Sequence, residues 1–122
     1  MQNCNSKFKS DLTDRCFQFS FDIIKMCDNL PQKRSVVIIS DQIIRSATSV
    51  GANIVEGKAS SSRREFTKYY QISLKSANET LYWLKLLKKL DYLDSKSITI
   101  LENECDEICR MLASGIIKLK KN

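Results

Sequence analysis

Apolar residues recur along the chain at steps of three and four, in four runs separated by short breaks. In the first run Leu12, Cys16, Phe19, Ile23, Met26 and Leu30 form one seam, which predicts an α-helix over about residues 11–28 with Ser10 as its N-cap. Pro31 stops it, because the residue before a proline avoids the helical region. The second helix is expected over residues 33–56, where Val36, Ile39, Ile43, Ala47, Val50 and Ile54 keep to one face. Gly57 then reads as the residue that ends it, in the left-handed conformation of a C′ position. Ser62 opens the third helix, residues 63–90, with Glu65 three positions on in a capping-box pattern, and Tyr70, Leu74, Ala77, Leu81 and Leu84 as the core stripe. After the turn Asp91-Tyr92-Leu93-Asp94, a fourth helix over residues 96–118 buries Ile98, Leu101, Cys105, Ile108, Leu112, Ile116 and Leu119, and the tail from Lys118 to Asn122 is expected to fray. Short connections make antiparallel neighbours the simplest packing. The predicted fold is all-α, an antiparallel up-down-up-down four-helix bundle in one domain over residues 1–122.

Two features go beyond a minimal bundle. The second helix carries the small residues Ser46, Ala47, Thr48, Ser49, Gly51 and Ala52, which allow another helix to come close. A glycine inside a helix costs about 1 kcal/mol relative to alanine, so Gly51 calls for a packing reason. The third helix has a second apolar strip, Tyr69, Ile72, Ser76, Trp83, Leu86 and Leu90, wider than the stripe a lone bundle buries. Tyr69, Ile72 and Trp83 are therefore candidates for an oligomer interface.

Composition supports the helical reading, since 122 residues contain three glycines and one proline, with 43% hydrophobic and 28% charged residues. No stretch reaches the roughly 20 apolar residues of a membrane span, and the polar start Met1-Gln2-Asn3-Cys4-Asn5 lacks the apolar segment of a signal peptide. A cytoplasmic protein with no membrane partner is expected. Cys4, Cys16, Cys27, Cys105 and Cys109 contain no CxxC pair, and the apolar positions of Cys16, Cys27 and Cys105 favour buried reduced thiols. Cys105 and Cys109 lie one turn apart, but without histidine or a second cysteine pair they make a poor metal site, and no metal or cofactor is expected. The lack of histidine also removes the commonest general base.

The charge is unevenly placed. Residues 58–90 hold eight Lys or Arg against two acids, which accounts for the whole net charge of +6, while residues 91–107 hold six acids and Lys96 alone. One edge of the third helix reads Arg64, Lys68, Gln71, Lys75, Asn78, Tyr82, Lys85, Lys89, again in steps of three and four. Together with Lys58 and Arg63, these cations are the candidate nucleic-acid-binding residues, with Tyr69, Tyr82 and Trp83 near enough to stack on unpaired bases. The same pattern also fits a solvated face. It fits equally a head-to-tail ring in which the basic third helix of one copy meets the acidic fourth helix of the next.

The run from Ser40 to Gly57, then Ser62-Arg63-Arg64-Glu65-Phe66, Ser76-Ala77-Asn78-Glu79-Thr80 and Leu90-Asp91-Tyr92-Leu93, resembles the bacterial four-helix-bundle family of proteins encoded in 23S rRNA intervening sequences. That family is related to the accessory variability determinant of diversity-generating retroelements, a basic homopentameric barrel that binds nucleic acid and a reverse transcriptase. The resemblance implies a homopentamer and RNA binding, and it brings no catalytic activity. The family's Asn-Ile-x-Glu-Gly element falls on Asn53, Ile54, Val55, Glu56 and Gly57. Those residues, with Arg45 and Glu79, read as structural. Glu56 lies at the unfavourable end of the helix dipole, so a cation such as Arg45 of another subunit, Arg63 or Arg64 is expected beside it.

The expected function is a non-enzymatic homo-oligomer that binds RNA or another polyanion through its third helix. The competing reading is a protein-interaction scaffold whose strips on helices 2 and 3 grip other subunits or a protein partner. A nuclease using Glu56 and Glu79 with Mg²⁺ is a distant third, because two separated glutamates make a weak metal site.

Overall fold

Helix propensity and seam spacing produce four long helices in a computed structural model that describes residues 4–121, with side chains from residue 12 onward. They are α1 (Cys4–Asp28), α2 (Arg34–Lys58), α3 (Arg63–Leu90) and α4 (Ser95–Lys120). The expected boundaries hold within three residues except at the start of α1, which begins before Ser10, so Ser10 is not its N-cap. Met1 to Asn3 and Asn122 lie outside the described residues, as do the side chains of Cys4 and Ser10. Each helix packs on its sequence neighbours and α1 closes on α4, while no close backbone approach joins α1 to α3 or α2 to α4 among the described residues. Contacts run in opposite senses along each pair: Ser20 meets Ala47 and Lys58 meets Thr13 between α1 and α2, while Ser46 meets Thr80 and Val50 meets Ser73 between α2 and α3. The bundle is all-α and antiparallel, as the short connections require.

The predicted seams of α1, α2 and α4 are buried except at Leu12, Ile39 and Leu119, which are half-buried, and Phe19, Ile23, Ile43, Ile54, Ile98, Ile108 and Leu112 are fully enclosed. The α3 stripe is displaced by part of a turn. Its buried row is Tyr70, Ser73, Ala77, Thr80, Leu84 and Leu87, and Leu74 and Leu81 are only half-buried at its edge. Hydroxyl groups occupy the centre because each finds a partner there. Ser73 Oγ donates to the Val50 carbonyl at 2.6 Å, and Thr80 Oγ1 bonds Ser46 Oγ at 2.8 Å and the Ser76 carbonyl at 2.8 Å. A satisfied buried hydroxyl carries little penalty, and its small volume lets α2 and α3 pack closely.

Two glycines are used for close approach. A Cβ on Gly51 would lie 3.2 Å from Cys16 Cβ, which supplies the packing reason expected for it. Gly57 corrects the sequence reading: it lies inside α2, buried and without positive φ, and a Cβ there would sit 3.0 Å from Tyr69 Cβ. The helix instead ends at Ala59 in right-handed geometry. The left-handed cap occurs after α3, at Asp91 with φ 61°, a conformation that aspartate tolerates better than most residues. At the start of α3 the Ser62 hydroxyl accepts from Glu65 N–H at 3.1 Å as expected, but the Glu65 carboxylate reaches back to Ser61 N–H, one residue before the predicted donor.

Cys16, Cys27 and Cys105 are free and buried, as their apolar positions imply. Burial pushes the Cys16 thiol up to about 12 and raises that of Cys27, and Cys105 is raised by its neighbour Cys109 and by burial. Hydrogen bonding from Cys105 lowers the Cys109 thiol, which is half-buried. Among these four, Cys109 should react first with a thiol reagent, and peptide mapping after brief labelling checks the order. For Cys16 the sign is set by its raised folded value. Its contribution to stability is whole below the ordinary thiol value of 9.0 and is lost as pH climbs toward about 12, so melting temperature should fall across that window.

Candidate nucleic-acid interface

The capped start of α3 and its unbroken run to Leu90 project one edge outward over about 38 Å from Arg64 to Lys89. Arg64, Lys68, Gln71, Lys75, Asn78, Tyr82, Lys85 and Lys89 are all exposed on it. Among the described residues none of its five cations enters an ion pair, whereas Lys88, just off the edge, is held by Glu102 at 3.0 Å. Unpaired cations along one exposed edge give it a positive field, the condition for attracting phosphates. Tyr82 is 60% exposed in the middle of that face.

The remaining candidates divide. Arg63 is exposed and joins Arg64, Lys68 and Gln71 in a broad cleft of about 1040 Å³ that is closed on its other side by Leu119 and Lys120 of α4. Lys120 thus adds a cation to this end of the edge. Sequence spacing did not reveal it because it depends on how α4 ends beside the start of α3. Lys58 is exposed but donates to Thr13 Oγ1 at 2.8 Å, which turns its amine toward α1 and away from the α3 edge.

The motif residues form a polar row between α2 and α3. Arg45 makes an ion pair with Glu79 and also donates to Gln42 Oε1, and Trp83 Nε1 donates to the same Glu79 carboxylate at 2.9 Å. Asn53 Nδ2 donates to the Ser49 carbonyl at 2.8 Å and to Ser49 Oγ at 2.9 Å, and Ser49 meets Ser76 across the seam at 3.0 Å. Glu79 is therefore committed to holding α2 against α3. Within the chain Glu56 is in none of the ion pairs formed among the described residues, so neither Arg63 nor Arg64 is its partner; it is exposed, and Arg45 pairs with Glu79 of its own chain. At a solvated helix end the dipole penalty is a few tenths of a kcal/mol and needs no partner. Glu56 also lies about 16 Å along α2 from Arg45, and hence from Glu79, too far for the two carboxylates to share an ion. Among the described residues no group of three or more Cys, Asp or Glu side chains is placed to hold a metal.

The interface candidates are partly enclosed, Tyr69 and Trp83 half-buried and Ile72 39% exposed. A larger apolar surface lies between α1 and α2. There Phe17 (76% exposed), Phe21, Ile24 and Val55 border a groove of about 390 Å³ floored by Thr48, Gly51 and Ala52. Its sequence signal was available as a second apolar row, residues 17, 21 and 24, off the α1 seam.

Comparison with family models gives a match to the 23S rRNA-intervening sequence protein model over residues 9–114, which includes the whole edge and the polar row. The chain belongs to that family. Among solved structures, this family member is similar to a protein of unknown function from the S23 ribosomal protein family of Bacteroides thetaiotaomicron, with 36% identity and a TM-score of 0.81. The alignment covers 86% of this chain and 97% of the Bacteroides chain, so the likeness is to nearly the entire neighbour. No match was found among curated proteins. No helix of the family member is long and apolar enough to cross a membrane, among the described residues.

Proposed function

We propose that this chain is a non-enzymatic, homo-oligomeric bundle of the cytoplasm that binds RNA along the outer edge of α3. The observation that carries the proposal is the row Arg64, Lys68, Lys75, Lys85 and Lys89, exposed and unengaged by acids of the described chain. The family's link to 23S rRNA makes RNA the first polyanion to test. Titration of a fluorescently labelled RNA at increasing KCl tests it. Five phosphate contacts correspond to a log–log slope of about −3.5 on a single strand, and a flat response excludes contact with phosphates.

The scaffold reading is favoured by a different observation, the apolar surface that the monomer leaves uncovered at Phe17, Phe21 and Val55 and at Ile72. It supports the homo-oligomeric half of the proposal, for which a pentamer is the expected size. Light scattering at micromolar concentration should give a mass near five chains, and Ile72→Glu or Trp83→Glu should reduce it if the α3 strip forms the contact. A strictly monomeric protein removes both the ring and the scaffold.

A further inference from the structure

The basic edge of α3 is interrupted at its centre. Lys75 and Lys85 are about 15 Å apart along the helix, and the edge positions between them are Asn78 and Tyr82, both uncharged and both exposed. Helical geometry places Tyr82 within about 60° of every cation on the edge, and close to the same angular position as Arg64. Tyr82 is 60% exposed, and its ring meets that of Trp83 in a T-shaped arrangement with centroids 5.2 Å apart, so the ring has the indole as a neighbour while most of the residue stays accessible. Trp83 is in turn fixed by its bond to Glu79 at 2.9 Å.

A large aromatic ring in the centre of a phosphate-binding edge is costly for a duplex ligand. It displaces a cation and meets only backbone, because paired bases are stacked inside the helix and the A-form major groove is too narrow to admit side chains. For a single strand the balance reverses. Unpaired bases offer their faces, and stacking of one base on an aromatic side chain contributes about 1–3 kcal/mol without regard to base identity. We infer that Tyr82 is a stacking platform for an unpaired nucleobase, flanked by Lys75 and Lys85 as phosphate contacts, and that the edge consequently selects single-stranded over double-stranded RNA. This inference rests on the reading of the α3 edge as the RNA-binding surface.

The test uses the full chain and two probes, a labelled 12-nucleotide single strand of mixed sequence and the same strand annealed to its complement. Tyr82→Ala should weaken single-strand binding by about 5- to 100-fold and leave duplex binding within about twofold. Tyr82→Phe, which keeps the π-face and loses the hydroxyl, should bind both probes as the parent does. Trp83 is the chain's only tryptophan, so its fluorescence should change on adding the single strand and not the duplex. Equal loss on both probes, or no loss on the single strand, overturns the platform. If those results appear while joint neutralisation of Arg64, Lys68 and Lys75 still weakens both probes, the edge survives and the stacking role alone falls. If the parent protein binds neither probe, the edge reading fails and the platform fails with it.

Discussion

Replacement of Arg64, Lys68 and Lys75 together by glutamine should lower RNA affinity about 100-fold at low salt, at roughly 1 kcal/mol for each phosphate left without its cation. The salt dependence should flatten in parallel. Each cation removed takes about 0.7 from the log–log slope on a single strand, so the three together take roughly 2. All three side chains are exposed and outside any ion pair among the described residues, so the helical signal and melting temperature should change little. The weakening should be uniform across RNA sequences, because phosphate contacts carry no base information. Unchanged affinity and slope would place binding elsewhere on the molecule.

Gly57→Asn should destabilise the protein by about 3 kcal/mol, read as a lower urea midpoint at unchanged slope. Two terms add: overpacking of a tight contact costs about 1–3 kcal/mol, and an amide buried without partners costs a similar amount. The overpacking is specific, since the nearest atom is Tyr69 Cβ, tied to its backbone, so α3 itself must move. Gly57→Ala isolates the clash, which opposes a gain of about 1 kcal/mol in helix propensity, and its net effect should be smaller. The substitution also separates the two accounts of this residue. A left-handed cap accepts asparagine readily, so an Asn variant as stable as the parent would restore the capping role.

The helices and their antiparallel order were legible because seam spacing, the Ser62 cap and Pro31 are local signals. What was not legible depended on neighbours. Gly57 looks like a stop signal in isolation, but the close pass of Tyr69 makes glycine necessary in mid-helix. Ser73 and Thr80 look like surface residues until Val50 and Ser46 supply their partners, which is why the α3 core row lies to one side of its apolar stripe. At the candidate site the edge was readable from charge and period. The turn of Lys58 toward Thr13, the placement of Lys120 across the cleft from Arg63 and Arg64, and the pairing of Arg45 with Glu79 were not, because each is set by how two helices meet.

The hydroxyl contacts between α2 and α3 have a mechanical consequence. Apolar side chains can slide past one another with modest loss, but hydrogen bonds are directional: a displacement of one helical turn, about 5.4 Å, would strand the buried Ser73 hydroxyl and break the Thr80–Ser46 bond, leaving Thr80 and Ser46 only the carbonyls of Ser76 and Ile43 in their own helices. That discourages the ratchet motions by which packed helices often transmit signals. α3 is thereby held in one register against α2, so the exposed cations on its outer edge keep one position relative to the α2 surface.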